Sequence, residues 1–365
     1  MNRLLEIPAY RRLVARTAGL PFPWDSLRGE SILLTGATGL IGSFLVDVLR
    51  AAAPDCRLVL VGRSPERARQ RFAEYWDSDS FVFVPHSFSG DAPFAPPFPD
   101  RLSPAGVFHL ASNTHPAAYA SDPIGTIRLN VLALDRLLDW SAVHGARRFL
   151  FASSNEIYGE NRGDAEFFDE SYCGYIDCNT LRAGYPESKR CGEALCQAYF
   201  AQRGLPCLVA RVTRTYGPTV LPSDTKAVNQ FFGDALAGRD IVLKSAGSQH
   251  YSFLFVPDTV SGLLTVFFRG IPGQAYNIAD PASDITLRGL AALVAETAGL
   301  RVVHAPPAPL EKAGFSVVSK ARLDASKLRA LGWSAGFGIR NGVQTNFGIL
   351  RSLASTPVPA PRAAP

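Results

Sequence analysis

Two short segments carry residue types whose spacing permits chemistry: Ser153-Ser154-Asn155-Glu156-Ile157-Tyr158-Gly159 and Tyr185-Pro186-Glu187-Ser188-Lys189. In a helix running from Tyr185 to Ala201, Tyr185 and Lys189 lie one turn apart on the same face. An ammonium beside a phenol stabilises the phenolate and lowers its pKa from about 10 toward working pH, which makes Tyr185 a candidate acid–base catalyst. A hydroxyl from Ser154, at the end of the preceding strand, would hydrogen-bond the same substrate oxygen. Together the three would deprotonate an alcohol while another group takes its hydride. An isolated Tyr-x-x-x-Lys is more often a half-buried helix residue beside a solvated lysine. A nucleotide loop far upstream decides for chemistry.

That loop follows the first strong strand, Ser31 to Thr35, and runs Gly36-Ala37-Thr38-Gly39-Leu40-Ile41-Gly42 into an apolar helix. Glycines at such a strand-to-helix junction let backbone N–H groups approach a pyrophosphate at the helix N-terminus, where the macrodipole favours anions. The cofactor residues expected here are Gly36, Gly39, Leu40, Ile41 and Gly42. Their glycine spacing, three and three, departs from the common fingerprint, and such junctions also use glycine for packing. A second strand, Arg57 to Val61, ends at Arg63 about twenty residues later, where an acid would hold the ribose of NAD and an arginine accommodates a 2′-phosphate. Arg63 tilts toward NADP; an exposed arginine opening the next helix is the alternative.

Further strands are expected at Phe81–Val84, Val107–Ala111, Arg148–Ala152 and Cys207–Val212, alternating with helices. This order predicts an α/β fold, a doubly wound parallel Rossmann sheet, over residues 29–218. The helix from Pro123 to His144 is apolar nearly all the way round, so it needs cover from the sheet and from a second surface, and a partner subunit is expected there. Residues 219–350 read as a smaller C-terminal α/β substrate lobe. Residues 1–28 read as a helical extension packed outside the main fold, and 351–365 as a disordered, Pro-rich tail.

The bulk numbers exclude several classes. The chain has 365 residues, 47% hydrophobic and 19% charged, and its net charge of +5 is spread out, so no nucleic-acid footprint is present. Its mild positive balance suits a small anionic substrate. The six cysteines show neither Cys-x-x-Cys pairing nor a histidine at zinc spacing, so no metal is expected, and buried thiols imply a reducing compartment. No stretch approaches the roughly 20 apolar residues of a membrane span. The arginine-laced start does not read as a signal peptide, and a cytoplasmic location is expected.

The ordered set TGATGLIG, VFHLAS, Asn130, FASSNEIYG, YPESK, RVTRTYGP, FLFVPD and KLRALGW resembles the extended short-chain dehydrogenase/reductases of the nucleotide-sugar epimerase/dehydratase family. The resemblance spans roughly Ser31 to Trp333. It implies a tightly held NAD, with NADP as the alternative, contacted also by Ala111, Asn130 and Lys189. It implies oxidation of a nucleotide sugar at C4, with Tyr185 as base, Lys189 lowering its pKa and Ser154 assisting, and a homodimer.

A 4-ketone makes the C5 proton acidic and a C5 carboxylate labile. Glu156 stands where dehydratases and UDP-glucuronate decarboxylases of this family keep a glutamate, so the resemblance implies it as a fourth catalytic residue beside Tyr185, Lys189 and Ser154. The segment from Lys189 to Cys196 looks most like the decarboxylase branch. Dehydratases commonly place an Asp where Asn155 stands, and an amide cannot act as the acid that expels a hydroxyl. On the substrate side the resemblance implies Asn155, Arg214, Lys244, Tyr251 and Arg322. Two of these depart from the family pattern: Arg214 replaces an Asn, and Tyr251 replaces an Arg. The expectation is that the phosphate-facing charge has moved from one loop to the other, with Tyr251 stacking or hydrogen-bonding nearby. The leading reading is a uronate decarboxylase or 4-epimerase. The alternatives are a 4,6-dehydratase, a net NADP-dependent reductase, or a non-catalytic dinucleotide sensor.

Overall fold

The structure, a computed structural model, describes residues 3–88, 94, 96, 103–114, 121–307 and 320–355. The Pro-rich segment before Leu102 lies largely outside them, as does the tail from residue 356. In chain order, α1 (Pro8–Ala18) precedes β1 (Ser31–Thr35), α2 (Leu40–Ala52), β2 (Arg57–Gly62), α3 (Pro65–Arg71), β3 (Phe81–Pro85), β4 (Gly106–His109) and α4 (Pro123–Val143). Then come β5 (Phe149–Ser154), α5 (Gly184–Arg203), β6 (Cys207–Val212), β7 (Arg214–Tyr216), α6 (Ala227–Leu236), β8 (Ile241–Leu243) and β9 (His250–Phe255). The chain continues through α7 (Val256–Arg269), β10 (Ala275–Ile278), β11 (Asp284–Thr286), α8 (Leu287–Ala298), β12 (Val302–His304), β13 (Lys320–Ala321), α9 (Ser326–Arg329) and α10 (Ile339–Ser355).

Seven parallel strands form one sheet in the order β10-β6-β5-β4-β1-β2-β3. The order reverses between β1 and β4, and a crevice outside their carboxyl ends is where such sheets bind ligands. The strands are apolar throughout, as burial on both faces requires: all five residues of β1 are buried. One face is covered by α2 and α7 through Phe44, Val48, Leu263 and Leu264. The other is covered by α4 and α5 through Leu134, Leu137, Leu138 and Cys196 against Phe149 and Phe151. Local chemistry sets the helix starts: Asp122 accepts from Gly125 N with Pro123 at the first position of α4, and Ser64 caps α3 with Pro65 behind it.

The sheet crosses the expected boundary at residue 218. Its edge strand β10 and the helix before it, α7, come from the segment read as a separate lobe, because β6 needs a hydrogen-bonding neighbour and the α2 face needs cover. The rest of that segment forms small sheets, β11-β9-β13 with β7 on β9, and β12-β8. The loop between β5 and α5 is tied to this part through Phe168, whose N–H donates to Arg322 O at 2.8 Å.

The N-terminal extension does not lie outside the main core. Tyr10 of α1 is fully buried against α2 and donates to Asp47 Oδ2 at 2.5 Å. Arg71 of α3 completes the cluster, donating at 2.6 Å to Asp47 Oδ2 and at 3.1 Å to Tyr10 Oη. Burial pushes the Tyr10 phenol well up. The extension thus clamps the helix that begins at the glycine loop. On α4, Leu134, Leu137 and Leu138 face the core, whereas Ile124, Ile127 and Leu132 are exposed. No described helix is long and apolar enough to cross a membrane.

Candidate active site

Tyr185 sits in the first turn of α5 and Lys189 one turn on, facing the carboxyl end of β5. Lys189 Nζ donates to Ala152 O at 2.8 Å and lies 4.6 Å above the Phe151 ring. The lysine is thereby moored to the strand that ends in Ser154, two residues later. Tyr185, Ser154 and Lys189 are 6%, 7% and 2% exposed, so each of the three sequence-predicted groups is buried. Burial pulls the Lys189 amine down to about 7, with Glu193 on the next turn opposing the fall. An amine of that pKa is protonated in part at neutrality and can still supply the ammonium expected beside the phenol.

Ser154 Oγ accepts from Glu156 N at 3.2 Å. Its own O–H makes no hydrogen bond among the described residues and is available to a substrate oxygen. Asn155, also buried, has its Nδ2 without a partner among the described residues. Glu156 turns its carboxylate to Arg182, whose Nη2 lies 2.8 Å from Oε1 and 2.6 Å from Oε2. Sequence reasoning passed over Arg182, because an arginine in a polar loop reads as solvated.

Asn130 is a brace. Its Nδ2 donates to Ser188 Oγ at 2.9 Å, Ser188 Oγ donates to Tyr185 O at 2.8 Å, and Asn130 Oδ1 accepts from Ser112 Oγ at 2.7 Å. The first turn of α5 is thus fixed to the loop after β4, which starts at Ala111. Ser112 and Ser188 escaped the sequence reading; lone serines carry no periodic signal. Behind the site, Ser153 Oγ donates to Glu193 Oε1 at 2.5 Å, and Arg211 pairs with Glu193 at 2.7 Å.

The glycine loop packs hard against that same β4 loop. Gly36 has φ +72, and a Cβ there would meet Leu110 C and Ala111 N at 2.6 Å. A Cβ on Gly42 would meet Gly36 O at 2.3 Å. The α2 N-terminus has no side-chain cap; Gly39 N donates to Gly36 O at 3.1 Å, and the first-turn amides that follow are of the kind an anion can accept from. Ala111 N donates to Thr35 Oγ1 at 3.3 Å, and Thr35 shares a 2.7 Å hydrogen bond with His109 Nδ1. Burial drives His109 down to about 3, so it stays neutral. Arg63 is exposed just past the end of β2.

On the substrate side, Arg214 and Tyr251 come together: the guanidinium lies over the Tyr251 ring, 3.4 Å from its centroid. Arg214 Nη1 is buried with no hydrogen-bond partner among the described residues. The parallel pairing of β7 with β9 brings the two residues together just past the carboxyl end of β6. Lys244 donates to Gln230 Oε1 at 3.2 Å on the α6 side. Arg322 is drawn to the β5–α5 loop instead, pairing with Glu166 at 2.6 Å and covering Phe167. Among the described residues no cluster of three metal-binding side chains occurs.

The profile of the NAD dependent epimerase/dehydratase family matches residues 32–279, which hold the glycine loop, β5 and α5. The chain belongs to this family. UDP-glucuronic acid decarboxylase 1 of Xenopus tropicalis is 30% identical over 253 residues, covering 69% of this chain and 56% of that protein. UDP-glucuronic acid decarboxylase 3 of Arabidopsis thaliana is 28% identical over 317 residues, 86% of each chain. The chain thus spans little more than half the length of several curated relatives it matches. In fold it is similar to a UDP-glucose 4-epimerase from Thermotoga maritima, with TM-score 0.74 and 23% identity over 89% of this chain and 100% of that one.

Family membership makes NAD the cofactor, and the residues fit it. The N-terminus of α2 carries no side-chain cap, and Gly36 and Gly42 allow the loop to pack tightly on the protein's own backbone beside it. Gly36, Gly39, Leu40, Ile41, Gly42 and Ala111, cofactor residues expected from the sequence, all lie in the β1–α2 loop, the first turn of α2 and the facing β4 loop.

Proposed function

We propose that this protein oxidises C4 of a nucleoside-diphosphate sugar to a transient 4-ketone, and that it is a uronate decarboxylase or 4-epimerase of the NAD dependent epimerase/dehydratase family. The observation that supports the reading is the mooring of buried Lys189 on Ala152 O, two residues before Ser154 and one helical turn after Tyr185. Bound at the glycine loop, NAD supplies the hydride acceptor. Tyr185 takes the C4 hydroxyl proton, Ser154 donates to the same oxygen, and Lys189, protonated, holds the phenolate. The Asn130 brace keeps the first turn of α5 in register with the cofactor loop. Arg214, flattened on Tyr251 with a bare buried N–H edge, grips the diphosphate. An amide at Asn155 supplies no acid for expelling a C6 hydroxyl, which favours decarboxylation or epimerisation over dehydration.

Ile124, Ile127 and Leu132 of α4 and Leu181 just ahead of α5 are exposed apolar side chains, and a second copy covers this face in a homodimer. The six cysteines are all free, which suits a reducing compartment such as the cytoplasm. The test is to incubate the NAD-loaded protein with UDP-, TDP-, GDP- and CDP-sugars, UDP-glucuronic acid included. Absorbance at about 340 nm is followed with product mass. A transient rise with loss of carbon dioxide, or a new isomer of unchanged mass, is expected, and Tyr185→Phe should abolish both. Silence toward every sugar sinks the reading.

A further inference from the structure

Arg182 and Glu156 come from two polar segments that the fold does not require to touch, yet they meet beside the reacting groups. Arg182 is three residues ahead of Tyr185, and Glu156 is two residues past Ser154. Their side chains are only 13% and 18% exposed. A pair this desolvated contributes little net stability, since the cost of stripping water from both ions offsets their attraction. As a fastener it is also redundant. The same loop is already held by Arg190, which donates to Ile157 O at 2.7 Å and Gly174 O at 3.0 Å, and by Glu160 N to Tyr175 O at 2.8 Å.

The contrast with the other buried pair is instructive. Glu193 and Arg211 are enclosed by Ser153, Tyr158 and Glu170 O, a finished network. The Glu156 carboxylate, in contrast, accepts from no described group except Arg182.

We propose that Arg182 is the specificity residue of the sugar site. It reads a carboxylate at C6 of the substrate by exchanging it for Glu156, so that nucleoside-diphosphate uronates are selected over neutral hexoses. The inference rests on the function proposed above. The exchange keeps one carboxylate on a guanidinium already desolvated, so the incoming anion meets a prepared partner, while the released Glu156 carboxylate regains water and its separation from Arg182 is part of the cost of binding. A neutral hydroxymethyl group cannot displace Glu156. It leaves the pair closed and gains nothing from it.

The test measures Kd by calorimetry on the full-length, NAD-loaded protein with UDP-glucuronic acid, UDP-glucose and UDP. Arg182→Gln should weaken UDP-glucuronic acid at least about tenfold while leaving the other two within about twofold. Arg182→Lys should restore part of the loss. Glu156→Gln removes the internal competitor and should tighten UDP-glucuronic acid by about threefold or more, an effect no structural fastener would produce. Equal weakening of all three ligands by Arg182→Gln, unchanged uronate affinity, or weaker uronate binding in Glu156→Gln overturns the inference alone. If Arg182→Gln fails to fold, Glu156→Gln decides. A wild-type protein that binds none of the three overturns both this inference and the proposed function.

Discussion

Replacing Lys189 by Met isolates the consequence of burying an amine against Phe151. The fall from an ordinary 10.5 to about 7 means that charging this amine inside the fold costs roughly 5 kcal/mol more than charging it in the unfolded chain. Between those two values the unfolded chain holds a proton that the folded chain has released. Stability therefore rises with pH across the window, and the penalty is complete below about 7. Lys189→Met carries no such proton. Its loss of the hydrogen bond to Ala152 O is a constant offset, and every other titrating group cancels between the two proteins. From about pH 7 to pH 10, the unliganded wild type should gain about 3–4 kcal/mol relative to the variant, at no more than about 1.4 kcal/mol per pH unit. Urea unfolding followed by tryptophan fluorescence at several pH values reads this directly. Parallel stability curves would refute the reasoning, because they would mean the amine is solvated in the folded protein.

Arg214→Ala should raise the KM for the nucleotide sugar about 10–100-fold with a smaller change in kcat, and an unchanged KM would show that the stacked guanidinium does not grip the diphosphate. Asp47→Asn should lower stability by about 3–5 kcal/mol in urea unfolding, because it strands the buried Arg71 charge, and a loss below about 1 kcal/mol would refute that account of the N-terminal clamp. Ile124→Glu combined with Leu132→Glu should halve the mass seen by light scattering, whereas an unaltered mass would place the subunit contact elsewhere.

What the sequence disclosed was whatever is local. Tyr185 and Lys189 share a helix face by spacing alone, and the glycine loop announces itself by lying between a β-branched strand and an apolar helix. The parallel sheet followed from alternating periodicity. What stayed hidden depends on chain segments far apart. Nothing near Tyr10 signals that its hydroxyl will meet Asp47 and Arg71 in the core. β10 is four residues that become a sheet edge only because β6 lacks a neighbour. Asn130 was legible as a cofactor residue by resemblance, while its structural partners Ser112 and Ser188 were not. The burial of Lys189 was hidden too. A lysine drawn beside a phenol on a helical wheel has its ordinary pKa; burial in the fold pulls that of Lys189 down to about 7.

The late arrival of α7 and β10 also bears on how the polypeptide matures at the ribosome. All the proposed reacting groups have been synthesised by Lys189, but Phe108 and Leu150 on the α2 face, and Leu208 soon after, still await the helix that shields them. At about 5–20 residues per second, the stretch from β6 to Ile278 takes several seconds to synthesise, and through that interval the nascent half-sheet is sticky and catalytically mute. A fragment ending at residue 218 would be the permanent form of that interval: rich in the residues that react, and bound for chaperones or aggregates rather than turnover.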